Sequence, residues 1–239
     1  MSRILKAYET RFRWLLQQVR ARRLEQGVSW LVQKARRLSA DRRSPLAEAL
    51  TTVYEELAAR RAFRNSTCVF APGLFFCDAG LGGLARWLRA AGYDARWEGG
   101  IDDDALLRKA ADLPAIVLTT DSMLMERRVL RDRLIASLWL PPTLSIAEQL
   151  RIVFREFGLV RRSPRCMSCG GELRRGDKQA LRERIPPRTY RWLDEYFVCA
   201  ACGRLFWHGT HWLKIQDQLE KVAARANEDS RRPRSTESK

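Results

Sequence analysis

The fold turns on Leu74-Phe75-Phe76-Cys77-Asp78-Ala79-Gly80-Leu81-Gly82-Gly83-Leu84-Ala85-Arg86-Trp87-Leu88-Arg89. Leu74 to Cys77 is a short apolar run with aromatic content, and it reads as a buried strand. Asp78 follows at once, so its carboxylate belongs at the strand's carboxyl end. Gly80, Gly82 and Gly83 let the backbone turn tightly. From there the apolar residues fall at Leu81, Leu84, Ala85 and Leu88, which is helical spacing, and Arg86 and Arg89 project from the same helix. An acid at a strand end, a glycine turn and a basic helix are a common way to build a site in an open α/β sheet. Asp78 also suits a plain helix cap, and this stretch alone leaves both readings open.

Beyond it, strand and helix signals alternate. Gly92 to Trp97 is a turn into a short strand, broken by Gly99-Gly100. Asp102 to Ala111 is helical, with Leu106, Leu107 and Ala110 inward. Ala115-Ile116-Val117-Leu118-Thr119 is a continuous apolar run suited to a central parallel strand. Thr120-Asp121-Ser122 comes next, then a helix through Leu130, a strand within Leu134–Trp139, and a helix over Ser145–Phe157. Such alternation implies a parallel sheet covered on both sides. On the other side, residues 1–66 are helical by period. One stripe is Ile4, Tyr8, Phe12, Leu15, Leu16 and Val19; a second segment follows Gly27 with Trp30, Leu31, Lys34 and Leu38; Ser44-Pro45 opens a third. Asn65 to Gly73 reads as a linker.

The chain has 239 residues and a formal net charge of +16. That balance points to phosphate-bearing partners. Arginines crowd the N-terminal helices, which suit either a solvated outer face or an electrostatic arm for RNA. No apolar run reaches the roughly 18 residues of a membrane span. The first residues lack a signal-peptide core, so the expected compartment is the cytoplasm. Six cysteines in a reducing compartment favour metal ligands or buried thiols.

Four of them form the most specific pattern in the chain. Cys166-Met167-Ser168-Cys169-Gly170 and Cys199-Ala200-Ala201-Cys202-Gly203 are two zinc knuckles. Each tight turn offers two thiolates to one ion, and two turns close a tetrahedron. A closed four-thiolate site has no open position, so the expected Zn2+ is structural. Cys68 and Cys77 lack this spacing and read as small core residues. The acids make a second constellation. Asp78 and Asp121 each follow a strand at its carboxyl end, and Asp102-Asp103-Asp104 opens a helix. Converging acids in a basic protein suggest a Mg2+ or Mn2+ site for phosphate chemistry. Capping and Asx turns account for the same residues without any catalytic role.

Phe76-Cys77-Asp78, Leu81-Gly82-Gly83-Leu84-Ala85-Arg86-Trp87-Leu88-Arg89, Gly92-Tyr93-Asp94, Asp103-x-x-Leu106-Leu107-x-x-Ala110 and Leu118-Thr119-Thr120-Asp121 occur in order. The double knuckle and Trp207-x-Gly209-Thr210-His211-Trp212 follow. Over about residues 74–214 the chain resembles the PIN-like ribonucleases named for the C-terminal domain of the Mut-seven exonuclease. The resemblance implies a PIN-like, three-layer parallel-sheet α/β domain followed by a zinc ribbon. It also implies a metal-dependent ribonuclease acting on RNA. Carried over by position, the acids are Asp78, Asp103 and Asp121, and Arg86 and Arg89 match the family's basic helix. The chain departs from the pattern at Thr120, where the family usually has arginine, and at Cys77, where an aliphatic residue is more typical.

The expected organisation is a basic helical region over 1–66, the α/β domain over 73–160, the ribbon over 163–215 and a disordered tail over 225–239. Arg127 and Arg128 are further candidates for phosphate, or a solvated helix face. Trp207, His211 and Trp212 suit either base stacking or packing, and Glu148 is a possible fourth acid or a surface residue. Two functions compete. One is a divalent-metal-dependent endoribonuclease using Asp78, Asp103 and Asp121, with Zn2+ on Cys166, Cys169, Cys199 and Cys202. The other is a non-catalytic RNA- or ribosome-binding zinc-ribbon protein with a vestigial acidic pocket. No membrane partner is expected, and the sequence names no protein partner, RNA substrate or oligomeric state.

Overall fold

The N-terminal stripes fold as helices, as their period requires. The computed structural model describes residues 3–64 and 73–231. Three helices come first: α1 (Arg3–Gln18), α2 (Leu24–Arg42) and α3 (Leu46–Arg64). The α/β elements follow as β1 (Leu74–Cys77), α4 (Gly82–Ala90), β2 (Asp94–Trp97), α5 (Asp103–Asp112), β3 (Ile116–Thr119), α6 (Arg128–Arg131), β4 (Ser137–Trp139) and α7 (Ile146–Phe157). Then come β5 (Leu173–Gly176), α8 (Pro187–Trp192), β6 (Tyr196–Cys199), β7 (Leu205–Trp207) and α9 (Thr210–Arg231).

The chain forms two compact units. The first joins the N-terminal helices with residues 119–145, and the second takes 71–118 and 146 onward. In the first unit, Trp139 of β4 is 1% exposed. Its ring meets Tyr8 and Tyr54 edge-on, at centroid distances of 5.5 and 4.9 Å. Arg11 is also buried, and its guanidinium lies over Trp14 at 4.4 Å and Trp139 at 5.5 Å. Tyr8 hydroxyl and Thr51 Oγ1 are hydrogen-bonded at 2.5 Å.

Gly27 does not separate two segments; it lies inside α2. A Cβ there would stand 2.8 Å from Leu16 Cδ1, so the glycine permits close approach of α1 and α2. Trp30, expected on the apolar stripe, is 61% exposed, while Val28, Leu31, Val32 and Ala35 carry the buried face. The helix expected from Ser122 through Leu130 is also broken. A 3₁₀ turn at Leu124–Glu126 and the short α6 flank Arg127, whose extended ψ of 132° interrupts helical bonding.

The first sheet has the order β2-β1-β3-β4. β1 pairs in parallel with β2, Leu74 opposite Asp94, and with β3, Phe75 opposite Ile116 and Cys77 opposite Leu118. Every residue of β3 is buried, as its continuous apolar run requires. The second sheet, β5-β6-β7, is antiparallel. Where a polar tail is expected from residue 225, α9 instead continues to Arg231. Ile215, Leu219, Val222 and Ala226 form its buried stripe, and Arg151 of α7 pairs with Asp229 at 2.5 Å. Charges between these apolar residues hide the period from a composition-based reading. The remaining tail (232–239), most of the expected linker with Cys68, and the side chains of Arg60, Arg61 and Arg64 lie outside the described residues. No described helix is long and apolar enough to cross a membrane.

Trp139→Ala should lower unfolding free energy by about 3–5 kcal/mol, because it empties a packed aromatic site. Trp30→Ala, at an exposed position, should stay within about 0.5 kcal/mol. Urea titration of the two variants checks the contrast, and equal losses would contradict the burial described.

Candidate functional site

Glycine after each second cysteine lets the chain close two knuckles. Gly170 and Gly203 adopt φ values of +81° and +68°, the left-handed region that other residues avoid. Gly170 N–H donates to Cys166 O at 2.8 Å, and Gly203 N–H donates to Cys199 O at 2.9 Å. β6 carries Cys199 at its end, in register with Leu173 of β5, so the sheet holds the two knuckles face to face. The Sγ atoms of Cys166, Cys169, Cys199 and Cys202 all lie within 4.8 Å of one another. Cys166 and Cys202 sulfurs are 3.7 Å apart, and Cys169 and Cys199 sulfurs 3.5 Å. A tetrahedron of Zn–S bonds of about 2.3 Å has edges of roughly 3.8 Å, whereas a disulfide needs about 2.05 Å. The four cysteines therefore fit a zinc ion in both number and spacing.

The thiols are not equivalent. Burial opposes ionisation of Cys199, but backbone N–H groups of Cys202 and Ala201 outweigh it and bring the thiol down to about 6. Burial pushes Cys169 up to about 12. A bound zinc ion removes the difference, because coordinated thiols are deprotonated.

Arg89 explains how the first knuckle is attached. Expected to face nucleic acid, it is instead 4% exposed. Its Nε donates to Ala95 O of β2 at 2.6 Å, and its Nη1 donates to Met167 O at 3.2 Å and Ser168 O at 2.7 Å. Arg165 N–H completes the tie by donating to Arg89 O at 2.9 Å. Burial draws the Arg89 guanidinium below its usual pKa, while the nearby Asp94, and the knuckle thiols where they are ionised, support its charge. A cation here would offset the excess negative charge of four thiolates around a zinc ion. Nothing in the sequence signals this role, because Arg89 and Ser168 are 79 residues apart.

Asp78 and Asp121 stand where the strand reading puts them, and each accepts a local backbone hydrogen bond. Asp78 is 9% exposed, directly after β1. Its N–H donates to Leu118 O at 3.0 Å, and its Oδ1 accepts from Gly80 N–H at 3.0 Å, capping a 3₁₀ turn over Ala79–Leu81. Asp121, two residues past β3, is exposed; its Oδ1 accepts from Met123 N–H at 2.7 Å. Asp103 is exposed in the first turn of α5. Asp102, not Asp103, caps that helix, accepting from Ala105 N–H at 2.8 Å, and this bond holds its carboxyl below the usual range. Asp78 and Asp103 belong to the second unit and Asp121 to the first. Among the described residues, the cysteines are the only group of three or more potential ligands that meet within 4.8 Å.

Arg86, Arg127 and Arg128 are exposed, and Arg128 pairs with Asp132 at 3.4 Å. Glu148 is exposed in the first turn of α7. Cys77 is a buried core residue; burial, with the Asp78 charge, pushes its thiol far up, so it is no nucleophile. Trp207 packs on the ribbon core beside Tyr196, and His211 is exposed. Trp212 stacks on His208, a residue that the motif reading passed over.

The family model described as the Mut7-C RNAse domain matches residues 74–219, more than half of the chain. No curated protein and no solved structure matches the chain.

Elemental analysis should find about one zinc per chain, and Cys166→Ser should lose it. Acidification should release the metal, since four thiolates must stay deprotonated to bind it; retention of zinc by the variant would overturn the ligand assignment. Arg89→Met should cost about 2–4 kcal/mol, because buried carbonyls lose a charged donor. It should also speed zinc transfer to a chromophoric chelator, while Arg86→Met leaves both urea stability and transfer near wild type.

Proposed function

Because the chain belongs to the Mut7-C RNase domain family, we propose that it is a divalent-metal-dependent ribonuclease that cuts RNA internally. The observation that carries this reading is the family match, which spans both the parallel sheet and the thiolate site. The same reading makes the α/β part a three-layer PIN-like domain and assigns catalysis to Asp78, Asp103 and Asp121. Its support is topological. β1 and β3 are parallel neighbours, and Asp78 and Asp121 follow their carboxyl ends, where open α/β sheets usually bind ligands.

The acids suit Mg2+ or Mn2+ by donor chemistry, since hard cations take carboxylate oxygens. Magnesium is commonly held by one or two carboxylates together with water and substrate phosphate, so three fused ligands are not required. Bound there, the cation would supply a more acidic water and offset charge on the phosphate oxygens. The chain supplies the rest. Gly80 N–H fixes the orientation of the Asp78 carboxylate, and the exposed Arg86, Arg127 and Arg128 offer cations to the RNA backbone. Zinc in the closed thiolate site has no open position, so its part is structural.

A second reading is an RNA- or ribosome-binding protein whose acidic residues are only structural. It is favoured by the local hydrogen bonds of Asp78 and Asp121, which are those of ordinary caps and Asx turns. Purified chain with manganese should cleave a mixed panel of RNAs. Asp78→Asn and Asp121→Asn should each slow cleavage by about a hundredfold or more, with RNA affinity unchanged or higher. Absence of metal-dependent cleavage across the panel would leave the binding reading in its place.

A further inference from the structure

The ribbon sheet has two faces. On one, Tyr196 packs with Leu181 and Ile185, and Tyr190, Leu193, Val198, Leu205 and Trp207 complete a small apolar core. Side chains alternate along strands, so the neighbours of these residues point the other way. Arg175, Phe197 and Phe206 are directly opposite one another across β5, β6 and β7, and they form a row on that second face.

The row continues into a stack. The Phe197 ring lies 4.8 Å from the His208 imidazole, tilted by 36°. The imidazole lies 5.4 Å from the Trp212 ring at only 11°, nearly parallel. Phe197, Phe206 and Trp212 are half-buried, and the His208 side chain is 40% exposed. The ribbon already has a core on its other face, so these rings are not needed to hold it together.

The surrounding charge selects the occupant. Residues 163–215 hold ten Lys and Arg against five Asp and Glu. The Arg175 side chain is 69% exposed at the end of the row. Glu195 pairs with it at 3.3 Å, and its other oxygen lies 3.7 Å from His208 Nδ1. Such an exposed pair is weak, and a phosphate can replace the carboxylate on Arg175.

We propose that this face of the ribbon is a stacking platform for unpaired bases of single-stranded RNA, with Phe197, His208 and Trp212 meeting the bases and Arg175 the backbone. It rests on the ribonuclease reading for the identity of the polymer, and adds where an unpaired strand is gripped. Duplex RNA keeps its bases stacked inside, so it gains nothing from the rings. Stacking tolerates any sequence, because every base has a π face.

The test uses full-length, zinc-loaded chain without added magnesium or manganese. Fluorescence anisotropy reads binding of a short labelled oligoadenylate, an abasic ribose-phosphate oligomer of equal length, and a duplex RNA. Wild type should prefer the oligoadenylate, and His208→Ala should weaken that binding about five- to thirtyfold. Affinity for the abasic and duplex probes should move less than about twofold. Trp212→Leu, with zinc content checked, is the second variant. Unchanged oligoadenylate affinity in both variants, or equal wild-type affinity for the abasic probe, would overturn the platform. If such a protein still cleaves RNA, the ribonuclease reading survives the platform's loss. If the variants lose affinity while Asp78→Asn cleaves normally, the platform stands and the catalytic assignment falls. If wild type binds no RNA, both fall.

Discussion

A single guanidinium inside the second unit ties a helix and the strand that follows it to a knuckle 78 residues further along the chain. Arg89 belongs to α4, donates to Ala95 O of β2, and reaches the carbonyls of Met167 and Ser168 in the first knuckle. A buried arginine is expensive unless its donors are satisfied and its charge is balanced. Here the carbonyls satisfy donors, and Asp94, with the knuckle thiols where they are ionised, supplies negative charge nearby. With zinc bound, knuckle and sheet would depend on each other. Four thiolates would exceed the charge of the ion, and that excess would make a buried cation favourable.

The same economy governs the acids. A carboxylate placed after a strand meets free N–H groups of the next turn, and it will accept from them whether or not it also serves chemistry. Asp78 and Asp121 both do this. Local capping and metal binding are compatible, because a carboxylate has two oxygens and several acceptor positions. What capping adds is orientation: a side chain held by a backbone donor has less rotamer freedom to lose when a ligand arrives.

Positive charge is abundant in this chain, but it is not all surface. Arg11 is buried over Trp14 and Trp139, and Arg89 is buried against the knuckle. Both are used internally, through aromatic faces in one case and carbonyl oxygens in the other. The exposed arginines are the ones available to a polyanion, and one of them, Arg175, lies in the row of side chains opposite Phe197 on the ribbon sheet.

Local pattern was enough for much of this. The run Leu74–Cys77, the continuous apolar β3 and the two Cys-x-x-Cys-Gly turns determined a parallel α/β sheet and a zinc-type thiolate cluster, because each depends on a few adjacent residues. The interruption at Arg127 and the extension of α9 past residue 225 were not legible, since propensity there yields to burial of Leu124 and Met125, and of Val222 and Ala226. Arg86 and Arg89 look alike in sequence, three positions apart on one helix, yet one is exposed and the other buried. That difference lies largely in the Met167 and Ser168 carbonyls that face Arg89, and those come from chain far away. Spacing alone fixes which ligands share a turn; only tertiary packing decides which charges are spent inside, because burial is a property of the neighbours and not of the residue.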